Sequence, residues 1–230
     1  SPREIYFTSG GSEGDNQALR TGAKNGAAEG KRHIVSTAME HHAVLHTLEA
    51  LEQEGLSVTY LQPDGEGSVS PGQLEEALRP DTAMVSIMEV NNETGTIQPI
   101  RELAAVCRRH GVLFHTDAVQ AVGHIPVDVK ADGVDVLTLS AHKFHGPRGV
   151  GAMYVRRGIR LQSLILGGGQ ERGKRAGTEN VPGIVGMAAA LEEETKQLAQ
   201  HMEYVEGLRK ALVTGLREIP HAFLNESSEH

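Results

Sequence analysis

The sequence is poor in cysteine and in aromatic residues. Its 230 residues include one cysteine, Cys107, no tryptophan and only 3% aromatic residues. A single cysteine excludes an internal disulfide and a cysteine-rich zinc site, and it is typical of a protein from a reducing compartment such as the cytosol. With so few aromatic side chains, surfaces on which nucleic-acid bases could stack are also nearly absent.

Long apolar runs and an excess of positive charge are missing as well. No run approaches the roughly 18 apolar residues that span a bilayer, and the first residues do not form a secretory signal. The formal net charge of −8 repels a polyanion. We therefore expect a globular, cytoplasmic protein that binds neither nucleic acid nor a membrane.

Short apolar, β-branched segments alternate with helical patterns along the chain. The alternation predicts a mostly parallel sheet between two layers of helices, a three-layer α/β fold. The predicted strands are 5–8, 33–37, 58–61, 83–89, 112–117, 134–140 and 151–155, and the predicted helices lie near 13–28, 43–54, 72–79 and 99–110.

The pattern changes after Pro182. Apolar residues then recur every three or four positions between Leu198 and Leu216, which indicates one face of a long helix that needs a partner surface. Both ends of the sequence are abrupt, so we expect the fold to be truncated at both ends. The predicted divisions are a large domain at 1–180, a connecting helix at 181–218, and the start of a C-terminal small domain at 219–230, with a strand at 219–225.

The first segment with chemical potential is TSGGSEGDN at residues 8–16, where a strand runs into glycines and then into a helix. The free amides and the dipole of a helix N-terminus favour a phosphate, and Ser12 adds a hydroxyl. The segment lacks the Lys-Ser/Thr ending of a nucleotide P-loop and the spacing of a dinucleotide fingerprint. A tight turn with a serine N-cap also explains it when it is taken alone.

The second segment is HTDAVQ, in which Asp117 ends an apolar strand. Ligands bind at this edge of an open α/β sheet. A buried carboxylate there needs a cationic partner, and a pyridinium nitrogen can be that partner. The alternative is that Asp117 caps a helix.

The third segment is SAHKFHGPRGVG, which follows the apolar strand at 134–139. A lysine at a strand end, followed by a glycine-rich turn that lets backbone approach a ligand, suits a Schiff base on Lys143. Ser140 and His142 could donate hydrogen bonds to a phosphate beside it. A surface lysine before a loop would explain neither the glycines nor these donors.

In this order, the three segments resemble the fold-type I pyridoxal-phosphate enzymes, and in detail the cysteine desulfurase and selenocysteine lyase family. The resemblance spans nearly the whole chain and implies that the domain at 1–180 is the large domain that binds the cofactor. It implies that the following residues contact pyridoxal 5'-phosphate: Gly11, Ser12, His41, Asn92, Asp117, Gln120, Ser140, His142, Lys143 and Thr178.

The resemblance also implies a role for each group. Gly11 and Ser12 hold the phosphate beside Ser140 and His142, and Asp117 pairs with the pyridine nitrogen. The other contacts follow the family's motifs: Lys143 forms the Schiff base, His41 in EHHAV stacks on the ring, Asn92 in NNETG faces the cofactor, and Gln120 touches the phenolate oxygen.

The implied reaction converts L-cysteine to L-alanine and passes the sulfur to an enzyme cysteine as a persulfide, for iron-sulfur cluster assembly or other sulfur-transfer pathways. The resemblance implies that Lys143 removes the Cα proton and that His41 assists. A homodimer is implied, because Thr178 in the glycine-rich loop at 167–180 reaches the cofactor of the partner subunit. A sulfur-acceptor or scaffold protein is a further expected partner. Without the resemblance, the loop has the composition of a mobile surface loop.

The sequence departs from the family in one respect that matters for catalysis. The family's acceptor cysteine and its carboxylate-binding arginine come from a C-terminal region that has no counterpart here. Cys107 lies in the pattern Leu103, Val106, Cys107, His110 and is predicted to be a small core residue of a helix. We therefore expect these 230 residues alone to be inactive in sulfur transfer.

Three alternatives remain open at this point. His41, His42 and His46 raise the possibility of a zinc site, although no HExxH order is present and no metal is expected. The chain could also be a noncatalytic fragment that binds cofactor without turnover. Within the same chemistry, selenocysteine lyase is an alternative to cysteine desulfurase.

Overall fold

The computed structural model of the protein describes residues 1–223, and these contain a seven-stranded sheet with the order β1-β7-β6-β5-β4-β2-β3. β7 is antiparallel to its neighbours β1 and β6, and the other neighbouring strands are parallel. The strands are β1 (Ile5–Thr8), β2 (His33–Thr37), β3 (Ser57–Leu61), β4 (Thr82–Ser86), β5 (Leu113–Asp117), β6 (Val136–Ser140) and β7 (Gly151–Val155).

Helices cover both faces of this sheet. Ile34 and Met84 point to the face that packs against α1 and α2, and the next residues, Val35 and Val85, point to the face that packs against α3 and α4. The predicted three-layer α/β fold with a mostly parallel sheet is therefore confirmed. The helices are α1 (Gly11–Ala28), α2 (His42–Gln53), α3 (Pro71–Ala77), α4 (Ile100–Arg109), α5 (Gln170–Gly173) and α6 (Val181–Arg217), with short 3-10 helices at Pro2–Glu4 and Ala141–Phe144.

Every strand and helix predicted from the alternating pattern up to residue 155 is present, and the differences lie at the ends. β4 ends at Ser86 rather than at residue 89, although the amides of Ile87 and Glu89 still donate hydrogen bonds to β5. β6 begins at Val136 rather than at residue 134. Apolar runs extend beyond these strands because the flanking residues are also buried, so hydrophobicity alone overestimates strand length.

Helix α1 lies close to the sheet because it carries glycine where the two touch. A Cβ atom on Gly14 would lie 2.5 Å from Cγ2 of Thr138, which real structures do not tolerate. This close approach brings the N-terminal turn of α1 to the carboxyl ends of β5 and β6. In open α/β sheets this is the edge at which ligands bind.

The predicted long helix is present as α6. Its only buried residues within the described part of the chain are Gly183 and Met187, and apolar side chains such as Leu208 and Leu212 are exposed. None of the helices in residues 1–223 has the length and hydrophobicity of a membrane-spanning segment.

The strand predicted at 219–225 is wrong for its described part, because residues 219–223 form turns and irregular backbone. A strand needs a neighbouring strand to pair its amides and carbonyls, and no described strand lies beside them. Residues 224–230, which include the rest of this predicted strand, lie outside the described residues.

Candidate cofactor site

A cavity of about 410 Å³ opens at the carboxyl ends of β5 and β6, beside the start of α1. Every residue predicted to contact the cofactor lines this cavity, except Thr178. The lining comprises Gly11, Ser12, Asp15, His41, Met88, Asn92, Glu93, Asp117, Val119, Gln120, Ser140, His142 and Lys143.

The N-terminus of α1 forms one corner of the cavity and has the geometry that suits an anion. The helix begins at Gly11, its N-cap is Gly10, and no side chain caps it, so the alternative of a tight turn with a serine N-cap is wrong for this segment. A Cβ atom on Gly11 would lie 2.6 Å from Cγ2 of Val119, so only glycine fits there. The first amides of α1 are therefore available to a phosphate.

Two further polar groups lie at the end of β6. Ser140 Oγ and His142 Nδ1 are 2.9 Å apart, and both residues line the cavity. Ser140 is buried, whereas His142 is exposed at the opening. Together with the α1 amides they give the cavity the donor groups that a phosphate requires.

Lys143 lies in the 3-10 helix that follows β6 and is half-buried. Its backbone is held in place, because the His124 ring Nε2 donates a hydrogen bond to the Lys143 carbonyl oxygen over 2.9 Å. Within residues 1–223, its ammonium group makes no hydrogen bond or ion pair. A fixed backbone with an unpaired amine suits a covalent attachment point.

Asp117 is the last residue of β5 and is only 5% exposed. Its Oδ1 accepts a hydrogen bond from the Val119 amide over 2.9 Å, while no partner for its other oxygen is found among residues 1–223. The capping role given above as the alternative for Asp117 therefore occupies only Oδ1. The other carboxylate oxygen remains available to a ligand. Burial raises the pKa of Asp117, and the Val119 amide, His41 and Lys143 oppose this rise.

The remaining predicted residues differ in how firmly they are held. His41 Nδ1 accepts a hydrogen bond from the Ala43 amide over 3.1 Å and caps α2, so its ring is fixed at the cavity opening. Asn92 is exposed and its side-chain amide donates to Glu93 Oε1 over 2.8 Å. Gln120 is half-buried in the cavity wall.

Thr178 lies apart from this cavity. It lines a smaller pocket together with Ser9 and Asn180, on the loop that leads into α6. The structure therefore does not bring Thr178 to the other predicted residues of the same chain. Its contact with the cofactor of a partner subunit stays a prediction.

Two buried carboxylates near the cavity were missed by sequence analysis. Asp15, on the second turn of α1, lines the cavity and is 1% exposed. Glu40 is 5% exposed and accepts hydrogen bonds from the Thr37 hydroxyl over 2.7 Å and from the Met88 amide over 3.0 Å. Burial, opposed by these two hydrogen bonds and reinforced by Asp117, raises the pKa of Glu40 to about 8.

The histidines that suggested zinc have other arrangements. The rings of His42 and His46 are exposed and stacked with their centres 5.0 Å apart. Among the described residues, no group of three His, Cys, Asp or Glu side chains is arranged to hold a metal ion. The geometry gives the zinc alternative no support.

Cys107 is buried in the core beneath α4, as predicted. Burial raises the pKa of its thiol to about 12, so the thiolate is essentially absent at neutral pH.

The groups in the cavity fit pyridoxal phosphate. Uncapped amides and the Ser140–His142 pair match the phosphate, the half-partnered carboxylate of Asp117 matches a protonated ring nitrogen, and the unpaired amine of Lys143 matches the aldehyde. The glycine at position 11 leaves the space that a phosphate needs close to the backbone.

Comparisons with known proteins agree with this geometry. Cysteine desulfurase IscS of Methanosarcina thermophila is 51% identical over 222 residues, which are 96% of this chain and 55% of that protein. A solved NifS-like protein superposes with a TM-score of 0.95 at 44% identity, over 100% of this chain and 63% of that one. A structure described as SspA in complex with cysteine has a TM-score of 0.81 at 45% identity, over 84% of this chain and 56% of that one.

The chain spans about half the length of the curated relatives it matches. Proteins of this family depend on pyridoxal phosphate, which confirms the predicted cofactor at the level of the family. The aminotransferase class-V pattern matches residues 1–230, and the chain therefore belongs to the aminotransferase class-V family.

Proposed function

We propose that the protein containing this chain is a pyridoxal-phosphate-dependent cysteine desulfurase, and that this chain forms its cofactor site. The observation that carries the proposal is that one cavity contains both the Lys143 amine, which has no described partner, and the buried carboxylate of Asp117, which has one oxygen without a described partner. The names of the relatives, several of them cysteine desulfurases, support L-cysteine as the substrate. The structure described with cysteine supports the same substrate.

When bound, pyridoxal phosphate supplies an electron sink that stabilises negative charge at the substrate Cα. The α1 amides at Gly11 and Ser12 bind the phosphate and so fix the position of the ring. Asp117 holds a proton on the ring nitrogen, because an ionised carboxylate in a water-poor wall strongly favours a cationic neighbour.

Lys143 has two tasks in this proposal. Its Nζ would hold the cofactor covalently, and as a free amine it would remove the Cα proton of L-cysteine. His41 lies over the cavity opening with its orientation fixed by the Ala43 amide, so it can cover the ring and help move this proton. Asn92 and Gln120 orient the ring from the wall of the cavity.

The sulfur must leave to a thiolate as a persulfide, with L-alanine as co-product. Cys107 cannot be that thiolate, because it is buried and its pKa is raised to about 12. It is also the single cysteine of the sequence, so the acceptor thiol belongs to another part of the full protein or to a partner. For residues 1–230 alone we expect no release of sulfide or persulfide from L-cysteine.

The assembly and the compartment are further parts of the proposal. A homodimer would give Thr178 a cofactor to contact, since the loop that carries it lies outside its own cavity. The persulfide would be delivered to a sulfur-acceptor or scaffold protein in the cytosol, a reducing compartment that fits a sequence with one cysteine.

Borohydride reduction followed by peptide mapping tests the proposal. In the full protein with bound pyridoxal phosphate, reduction should fix the cofactor to Lys143, and alanine should form from L-cysteine. Lys174 is a suitable comparison, since it lies in the glycine-rich loop at 167–180 but does not line the cavity. A label on any other lysine, or no label in a dimeric preparation, would contradict the assignment of Lys143.

A further inference from the structure

Asp15 is an unusual residue in the cavity wall. Its side chain is 1% exposed, and its Oδ1 has no hydrogen-bond partner among the described residues. An ionised carboxylate without a cation is costly in such a place, and the cost is several kcal/mol in general. The proposed function uses Asp117 but gives Asp15 no role.

The nearest group that could carry positive charge is His115, whose Nε2 lies 3.7 Å from Asp15 Oδ1. Both ring nitrogens of His115 are already engaged, Nδ1 with the Ser86 hydroxyl at 2.8 Å and Nε2 with the Thr138 hydroxyl at 3.1 Å. Burial lowers the pKa of His115 to about 3, so the ring is neutral. The contact with Asp15 is therefore no ion pair.

Asp117 has the better environment for a negative charge. It accepts a hydrogen bond from the Val119 amide, and the positive charge of Lys143 acts on it, whereas Asp15 faces the neutral His115 and the acids Asp117 and Glu40. Burial first, and Asp117 second, raise the pKa of Asp15 well above its usual range, Glu40 adds to this rise, and the Thr138 hydroxyl opposes it. When two close carboxylates have unequal environments, the proton stays on the less favourable one.

We propose that Asp15 is a protonated, neutral acid in the folded protein and that it leaves Asp117 as the ionised carboxylate that faces the ring nitrogen. Asp15 is then a positioning residue, which acts through Asp117 by keeping a single negative charge in this wall. The link to the ring nitrogen rests on the proposed function, but the charge state of Asp15 does not.

Infrared spectroscopy of the full protein with bound cofactor tests the charge state, because a protonated carboxylic acid has a C=O stretch distinct from the bands of a carboxylate. At neutral pH, Asp15→Asn should lose one protonated-carboxyl band, and Asp117→Asn should keep it. Glu40→Gln is the matched control, since it removes a different buried acid and must leave the Asp15 band in place. An Asp15→Asn spectrum that has lost no such band would overturn the proposal.

A second measurement follows the visible absorption of the bound cofactor as a function of pH. Asp15→Asn replaces one neutral group by another, so the pH midpoint should stay where it is. A midpoint lowered by about one pH unit or more, the size of shift that a nearby charge causes, would show that a negative charge was removed. That result would also overturn the proposal.

If Asp15→Asn does not fold, a combined Glu40→Gln, Glu89→Gln and Asp117→Asn variant keeps Asp15 and removes the other buried acids with raised pKa values. A protonated-carboxyl band that remains at neutral pH supports the proposal, and its absence overturns it. Repeating the spectra without cofactor separates this result from the proposed function, which depends on the label at Lys143.

Discussion

Helix α4 and the wall of the cavity both contain titratable groups, but they differ in how those groups are paired. On α4, Cys107 is enclosed by apolar side chains, while Arg109 and the adjoining His110 lie on the surface and bind Glu75 over 2.9 and 3.0 Å. In the cavity wall, Asp15 and Asp117 are buried and each has a carboxylate oxygen without a described partner.

This difference separates residues that hold the fold from the residues that we propose to bind a ligand. Buried polar groups are normally paired, and a group left unpaired needs a specific explanation, such as a catalytic role, a protonated state or a ligand that completes the pairing. The groups on and beside α4 are buried among apolar side chains or paired with Glu75 of α3, and they need no further partner. The cavity wall breaks the rule, so substitutions there should change ligand binding and catalysis more than stability, and substitutions on α4 the reverse.

The largest effect is expected for Lys143→Ala in the full protein. Turnover of L-cysteine should fall by about 10³-fold or more, because both the covalent attachment and the proton-transfer group are lost. The free energy of unfolding should change by less than about 0.5 kcal/mol, since the ammonium has no described partner. Alanine formation and urea unfolding measure the two effects, with the exposed Lys130→Ala as control. If the Lys143→Ala variant kept the parental turnover, Lys143 would have no role in catalysis.

Asp117→Asn should lower turnover by about 10²-fold or more, because a neutral amide cannot hold the ring nitrogen protonated. The protein should remain folded, since removing a buried charge lowers a desolvation cost. Asp128→Asn is a matched control: Asp128 accepts the amide two residues ahead over 2.9 Å, as Asp117 does, but on an exposed turn. Equal turnover in both variants would make Asp117 a purely structural residue.

Glu40 should give the cofactor-free protein a characteristic pH dependence. Its folded pKa is about 8, above the ordinary value of 4.5, so folding takes up a proton between these values. The contribution of Glu40 to the free energy of unfolding is therefore fully present below pH 4.5. It is lost as the pH rises through about 8, and the loss is at most a few kcal/mol.

Urea unfolding at several pH values measures this slope, and Glu40→Gln should reduce it. Glu75→Gln is the control, because Glu75 is exposed and His110 and Arg109 hold its pKa below the usual range. A slope unchanged by Glu40→Gln would mean that Glu40 is ionised in the fold and that its hydrogen bonds from Thr37 and Met88 outweigh its burial.

The same contrast explains what the sequence could predict. The strand ends that carry Asp117 and Lys143 were predicted because alternating strands and helices bring the carboxyl ends of parallel strands together. Asp15 was missed because an acid early in a helix is ordinarily a solvated group that favours the dipole. Its burial depends on the close contact of Gly14 with Thr138, which only tertiary packing reveals.

The smallest effect is expected at Cys107, and it tests the other side of the comparison. Cys107→Ala removes one small buried side chain from the core beneath α4, which should cost about 1 kcal/mol of unfolding free energy.

Turnover of L-cysteine by the full protein should stay at the parental level, because a thiol with a pKa of about 12 and no exposure has no route to the substrate sulfur. In the unchanged protein, iodoacetamide should modify Cys107 only at the rate at which the core opens. If a folded, cofactor-loaded Cys107→Ala variant lost sulfur transfer while it kept its label at Lys143, Cys107 would be the sulfur acceptor. The distinction between α4, whose residues stabilise the fold, and the cavity, whose residues serve catalysis, would then be wrong.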